Sequence, residues 1–567
     1  MPYEVHDQGP YRRFIGPRTI SILDVNPAAL FPFGYVHLAH TDHTRPWRGT
    51  ARTGSAGAPP RAPPSANTAS AGRGWAAVNR LLRHTAVFCG VLVLALLARA
   101  TWLQFVEAGD LAENPHNRRT AIAEFAQPLG DIVVGGSPVT GSRPQPGSDL
   151  AHKRVYRNGP MYAPVTGYLS PTQGATLLEG VHRDLLNGAD SRLLQGPLDT
   201  LAGKRPSGGD VVTTIDPAAQ RAAYRGLADL KAKGAVVALE PATGRILALA
   251  SAPSYDPSDF AGISDADAEA FRKLADDKDK PLNNRALRET YPPGSTFKIL
   301  TAAAALEHGT IADIDRPTRV PAPYRLPQST TEIGNVVPDS QCDGVSLRTA
   351  MQWSCNNVFL DTAWRTGAKK MRETAEKFGF NTEHFVPVRA TASSYPGRLD
   401  APQTALTGMG QGSLTSTPLQ MAMVTAALAN DGVVMKPQLV DELRGPGLKV
   451  LEKAVPEVHG RAVSETTAAK VRQMMEHTVT HGTADKVRID GVTVGGKPGT
   501  AQHGADVRDE RPYAWFVAYA EQPDGSSPVA VAVFVDPEDM DISRSDIAGG
   551  RLGAPIAKAV IQAVLDR

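Results

Sequence analysis

Three cysteines in 567 residues are too few for a disulfide framework. With no C-x-x-C pair and no H-E-x-x-H, the chain offers no recognisable metal site. Sixty Lys and Arg stand against 58 Asp and Glu, a net charge of +2. No long basic run is interleaved with aromatics, so nothing points to a nucleic-acid partner. No internal repeat is apparent. What is present is ordinary globular material, 42% apolar and 21% charged. That suffices for a sizeable core and for two to four domains.

One long apolar run stands apart. Thr85 to Val106 reads TAVFCGVLVLALLARATWLQFV, unbroken from Ala86 to Ala98. A membrane-spanning helix needs about 20 largely apolar residues, a length reached here if Arg99 snorkels to the headgroups. Trp102 suits the same interface. Arg80, Arg83 and His84 precede the run, and Glu107, Asp110 and Glu113 follow it. The positive-inside rule then places the N-terminus in the cytoplasm and the rest of the chain outside, a single-pass cell-membrane protein. The competing readings are a buried core helix and a cleaved signal peptide, since Ala98-Arg99-Ala100 resembles a cleavage site.

These signals divide the chain into four segments. Residues 1–84 form a cytoplasmic tail, expected to be mostly disordered because Thr44 to Ala77 is dense in Arg, Pro, Gly, Ala and Ser. Residues 1–77 are also candidates for an untranslated stretch, with Val78 as an alternative start. Residues 85–106 are the anchor. Residues 107–210 alternate short apolar runs with turn signals such as Gly135-Gly136 and Ser207-Gly208-Gly209, which suggests a small strand-rich pedestal. From 211 to 567 the texture is α+β. Asp216 and Pro217 open a helix, GAVVALEPATGRILALAS reads as a hairpin around Glu240–Gly244, and Ser264 to Asp279 reads as a polar helix. Ser295 to His308 and Thr417 to Gly432 read as nearly all-apolar, buried helices. The tail gives VTVGG, AWFVAYA, VAVAVFV and a last helix. This mixture predicts an antiparallel sheet packed by helices.

The stretch YPPGSTFKIL, Tyr291 to Leu300, carries the chemistry or a cap. Ser295 at a helix start is an ordinary N-cap, but Lys298 three residues on shares its helix face. A serine needs a neighbouring base to become a nucleophile, and a lysine serves if burial and a nearby cation lower its pKa. Two later stretches bear on the choice: WSCNN (Trp353 to Asn357), with Ser354 and Asn356, and VGGKPGTAQ (Val494 to Gln502), with Lys497. Each is weak alone. The ordered trio SxxK, SxN and K-x-G-T is the signature of the active-site-serine penicillin-recognising fold.

On these motifs the chain resembles the class B penicillin-binding proteins, specifically the actinobacterial penicillin-binding protein A group. TTID (213–216), NRAL (284–287), GMGQGSLTSTPLQMA (408–422) and KPGTAQHG (497–504) add to the resemblance, which runs from about Val78 to the C-terminus. It implies a transpeptidase fold with an all-α subdomain, preceded by a pedestal or dimerisation-like module. It also implies a D,D-transpeptidase that cross-links peptidoglycan stem peptides ending in D-Ala-D-Ala, with no cofactor, and that β-lactams acylate. Ser295 is the implied nucleophile, Lys298 its base, and Ser354 a proton relay. Asn356 would bond Lys298 and the substrate amide. Lys497 and Thr500 would hold the terminal carboxylate, with Gly499 and Thr500 the implied substrate-binding residues, and the N–H groups of Ser295 and Thr500 would form the oxyanion hole. A membrane-embedded glycan polymerase is an implied partner, since no glycosyltransferase domain is visible.

Two departures stand out. Pro498 replaces the usual Thr or Ser, removing a hydroxyl and an N–H and predicting weakened carboxylate binding. Leu129-Gly130 replaces an Arg-Gly pair, which bears on pedestal packing. Cys342 and Cys355 lie on the oxidising side, where a disulfide and two separate buried thiols are both open. His503 reads as a loop histidine. A β-lactamase or β-lactam sensor and a non-catalytic division scaffold are the competing functions.

Overall fold

The computed structural model describes residues 71–107, 118–193, 207–504 and 510–567. The expected disorder of residues 1–70 and the acidic flank at Asp110 and Glu113 lie outside them. The chain divides into two units, residues 1–98 and 99–567. Helix α1, Ala71–Phe105, carries the apolar run. Its stretch Leu82–Phe105, 24 residues, is long and apolar enough to cross a membrane. The expectation of disorder up to Ala77 is corrected over 71–77, which are helical. Extending an existing helix into proline-free sequence is easier than nucleating one. In the second unit Arg99 bonds Glu107 at 2.9 Å, and Trp102 Nε1 donates to the same carboxylate at 3.1 Å.

The pedestal region is less strand-rich than its turn signals predict. It holds β1 (Ile132–Val134) and β2 (Ser137–Pro138), a hairpin over 140–156, and the buried helix α2 (Gly159–Thr166). Next come β3 (Asp210–Thr213), helix α3 (Pro217–Leu230), capped by the Asp216 carboxylate accepting from Ala219 N at 2.7 Å, and the hairpin β4 (Lys233–Leu239) and β5 (Ile246–Ala252). Helix α4 (Asp265–Ala275) is the expected polar helix. Helix α5 (Lys298–Glu307), helices α6 (Leu347–Trp353) and α7 (Asn356–Thr366), and helix α8 (Pro418–Ala429) follow. Strands β6 (Val440–Arg444) and β7 (Val450–Lys453) then return to the pedestal. Helix α9 (Glu465–His481), strands β8 (Thr493–Ala501), β9 (Tyr513–Glu521) and β10 (Val529–Asp536), and helix α10 (Gly549–Leu565) complete the chain.

The central sheet runs β8-β9-β10-β4-β5, antiparallel throughout. Alternation along each strand sends one set of side chains to each face. Ala235, Val237, Trp515, Val517 and Phe534 join the core built with α5 and α8. Val236, Ala238, Phe516, Val531 and Val533 join the core built with α3 and α10. Buried on both faces, the strands read as continuous apolar runs. Strand β8 lies at the sheet edge, with its outer backbone groups unpaired by any strand among the described residues.

A second sheet, β7-β6-β3-β1-β2, spans the expected boundary at 210/211. Its β1–β3 pair is parallel and its β3–β6 pair antiparallel. Strands this short need several neighbours to bury Ile132, Val134 and Val211. The Leu129 substitution packs cleanly against Phe125, Leu150 and Leu169. The buried guanidinium of Arg154 bonds the Gly130 carbonyl and the Glu179 carboxylate, both at 2.7 Å.

Candidate active site

Pro292 and Pro293 stop the chain, and Gly294 turns it with φ +53°. A side chain there would be strained, and its Cβ would lie 2.9 Å from Thr500 O and from Ala501 Cβ. Gly499 is equally constrained, since a Cβ would sit 3.1 Å from Thr296 N. These two glycines let the turn press directly onto edge strand β8. Residues Gly294–Phe297 form a 3-10 turn, and α5 begins only at Lys298. Ser295 is therefore not the cap of an α-helix; it sits half-buried in the tight turn. The turn is held by Thr296 Oγ1 donating to Pro293 O at 2.7 Å and Gly294 N donating to Gly410 O at 3.0 Å.

One turn into the core, Lys298 is fully buried. Its Nζ donates to Ser354 O at 2.7 Å and Asn356 Oδ1 at 2.8 Å, with Ser354 Oγ at 3.3 Å. Lys497, equally buried, reaches Ser354 Oγ at 2.8 Å and Pro498 O at 3.0 Å. The Ser354 hydroxyl thus lies between two lysines. Burial, and then the neighbouring charge of Lys497, holds Lys298 well below the usual lysine range. Burial lowers Lys497 to about 7. Two ammonium groups sharing one buried hydroxyl are disfavoured, so at least one amine is neutral near pH 7.

Ser354 occupies the left-handed region, φ 58°, at the junction of α6 and α7. Such a conformation in a non-glycine residue persists only where the surroundings impose it. Here Cys355, the next residue, is joined to Cys342 in a disulfide with S–S 2.02 Å. Asn357 Nδ2 also donates to Cys342 O at 2.8 Å.

Strand β8 presents Thr500 half-buried. Pro498 is buried, with its ring beside the first turn of α10 and its carbonyl accepting from Lys497. N and O of one strand residue point the same way, so the missing N–H of Pro498 faces the open edge. His503 bonds Arg511 O at 2.7 Å and stacks on Tyr513, ring centroids 3.7 Å apart. It is occupied as a loop histidine.

Two groups that the sequence does not single out close the site. Gly334 O accepts from Asn356 Nδ2 at 2.8 Å, and Asn335 Oδ1 accepts from Asn356 N at 2.6 Å. The Asn356 amide nitrogen, expected to be free for a substrate, is engaged by the protein itself. The contact between Gly410 and the nucleophile turn was equally illegible, because it depends on tertiary approach.

Residues 234–562 match the penicillin binding protein transpeptidase domain, and residues 129–211 match the penicillin binding protein A dimerisation domain. The chain belongs to the penicillin-binding protein transpeptidase family. Within that family it is a class B penicillin-binding protein, similar to the peptidoglycan D,D-transpeptidase PbpA of Mycolicibacterium smegmatis, which is 40% identical over 86% of this chain and 99% of its own. PbpA of Mycobacterium tuberculosis is 39% identical over 86% of this chain and 99% of its own. Among solved structures, the ceftriaxone acyl-enzyme complex of M. tuberculosis penicillin-binding protein A superposes with a TM-score of 0.73. It is 38% identical and covers 78% of this chain and 100% of its own. The penicillin G acyl-enzyme complex gives 0.71 at 40% identity, covering 77% and 100%.

Proposed function

We propose that this penicillin-binding protein is a peptidoglycan D,D-transpeptidase working through an ester on Ser295. One observation carries the reading: two buried lysines from separate motifs meet at Ser354 Oγ beside a half-exposed serine turn. Neutral Lys298 takes the proton of Ser295 Oγ as that oxygen attacks the carbonyl between the two terminal D-alanines of a donor stem peptide. The carbonyl oxygen gathers negative charge against the N–H groups of Ser295 and Thr500. The C–N bond then breaks, and Ser354 passes a proton from the lysine pair to the departing D-Ala amine. In the second half, a stem-peptide amine attacks the ester and Ser295 recovers its proton. Lys497 as ammonium and Thr500 hold the donor's terminal carboxylate. A β-lactam enters the same cycle and stops at the ester.

The anchor fits a single-pass cell-membrane protein with a cytoplasmic N-terminus. This orientation rests on Arg80, Arg83 and His84 around the start of the apolar stretch and on Glu107 beyond its end. A glycan polymerase in the same membrane supplies the strands to be cross-linked.

A fluorescent penicillin tests the reading directly. It should label the wild type at one site and release slowly, while Ser295→Ala should not be labelled. Failure of the wild type to react would favour a scaffold, and rapid release would favour a β-lactamase.

A further inference from the structure

We propose that Asn335 is a positioning residue for acyl transfer, fixing the Asn356 carboxamide with its oxygen toward Lys298. The inference rests on the acyl-enzyme reading above and adds a residue outside all three motifs.

Helix α7 begins at Asn356, and the N–H groups of a first helical turn have no partners within the helix. The residue before it cannot help: Cys355 has its sulfur in the disulfide and makes no side-chain cap. The cap comes instead from a loop 21 residues upstream. Asn335 Oδ1 accepts from Asn356 N at 2.6 Å and from Asn357 N at 3.3 Å. Its own amide nitrogen donates to Asp339 Oδ1 at 2.9 Å. That carboxylate can only accept, so it settles which end of the Asn335 amide faces the helix.

The neighbouring backbone completes the device. Gly334 O accepts from Asn356 Nδ2 at 2.8 Å, which leaves Asn356 Oδ1 to accept from Lys298 Nζ at 2.8 Å. A neutral lysine amine has two hydrogens and one lone pair. Ser354 O and Asn356 Oδ1, its two nearest acceptors, take the two hydrogens, and the lone pair is left to receive a hydroxyl proton, on the acyl-enzyme reading that of Ser295. Were the Asn356 amide free to turn over, its NH2 would oppose the amine and the lone pair would have no fixed direction. Asn335 touches no reacting atom; it acts through Asn356.

The test is the second-order rate of labelling by fluorescent penicillin, measured against pH on the detergent-solubilised full chain. Asn335→Ala should slow labelling roughly tenfold or more, the scale of one hydrogen bond to a charged group. Its acid limb should move to lower pH, because the Lys298 ammonium loses a well-placed acceptor. Asn335→Asp keeps the acceptor but sets it against Asp339, and should be slow at full solubility. The double variant Asn335→Asp with Asp339→Asn restores both bonds with the charge exchanged, and should return to within about twofold of wild type. A merely structural loop residue would lower the labelled fraction without moving the limb. Wild-type rates and limb in Asn335→Ala would overturn the proposal, as would a double variant no faster than Asn335→Asp. Should wild type itself fail to label, or Ser295→Ala label, the acyl-enzyme reading falls and takes this proposal with it.

Discussion

Two lysines within reach of one hydroxyl give the site its dependence on pH. Lys298 must be neutral to accept a proton, while Lys497 must be charged to hold a carboxylate. The rate of β-lactam acylation should therefore rise as pH climbs through the depressed pKa of Lys298 and fall as Lys497 deprotonates through about 7. A bell-shaped labelling profile is the expected result; a rate that keeps rising well above pH 7 would remove the charge assigned to Lys497. The same burial weakens the fold. Between about 7 for folded Lys497 and the ~10.4 of an exposed lysine, the unfolded chain binds more protons, so stability rises with pH in that window. Pro498 belongs to this scale as well. Its nitrogen lies on the open edge of β8 and its ring on the buried side toward α10. Pro498→Ala and Pro498→Thr should both recover the edge N–H, while a threonine side chain would follow the ring toward α10 and away from the open edge. Acylation should rise to a similar extent in both, by about tenfold at most, the scale of one hydrogen bond to a carboxylate. Unchanged rates in both would show that position 498 does not touch the donor.

At the scale of the element, the loop between α6 and α7 bears the most constraint. It holds a left-handed serine, a disulfide and an externally capped helix within four residues. Cys342 and Cys355 close a loop of sequence separation 13. Replacing both with serine should lower the unfolding free energy by roughly 2–3 kcal/mol. It should also slow acylation, because Ser354 would no longer be held between the lysines. Urea titration and labelling of the same variant would check both; full stability with full activity would make the bridge incidental. Much of this architecture was legible in sequence. The three motifs named Ser295, Lys298, Ser354, Asn356 and Lys497, and the structure brings the last four of these into direct contact, with Ser295 in the turn that leads into Lys298. Their types are set by local chemistry that a motif records. The 3-10 turn under Ser295, the cap from Asn335 and the buried ring of Pro498 were not legible. Each depends on which distant backbone approaches, and no periodicity encodes that.

For the whole molecule, the division into pedestal and catalytic domain is weaker than composition suggests. Turn-rich texture before 210 and helix-and-strand texture after it placed a boundary there, yet β3 pairs with β1 on one side and β6 on the other. Helix α2 is buried, and its carbonyls accept from catalytic-domain side chains. Gln220 Nε2 donates to Met161 O at 2.8 Å, Asn284 Nδ2 to Pro164 O at 2.8 Å, and Ser254 Oγ to Pro160 O at 2.7 Å. Removing the pedestal would leave the buried amide of Asn284 without this partner and strip cover from Tyr255 and Phe260, which pack on Ala163. Unpartnered buried polar groups and an exposed strand edge both penalise such a fragment. A soluble form of residues 107–567 should therefore unfold in one calorimetric transition, with calorimetric and van't Hoff enthalpies equal. A fragment of residues 211–567 should melt lower and aggregate. Two separated transitions in the longer form would mean that the sheet shared across residue 210 does not couple the halves. The pedestal would then be a spacer, and the nucleophile would owe it nothing.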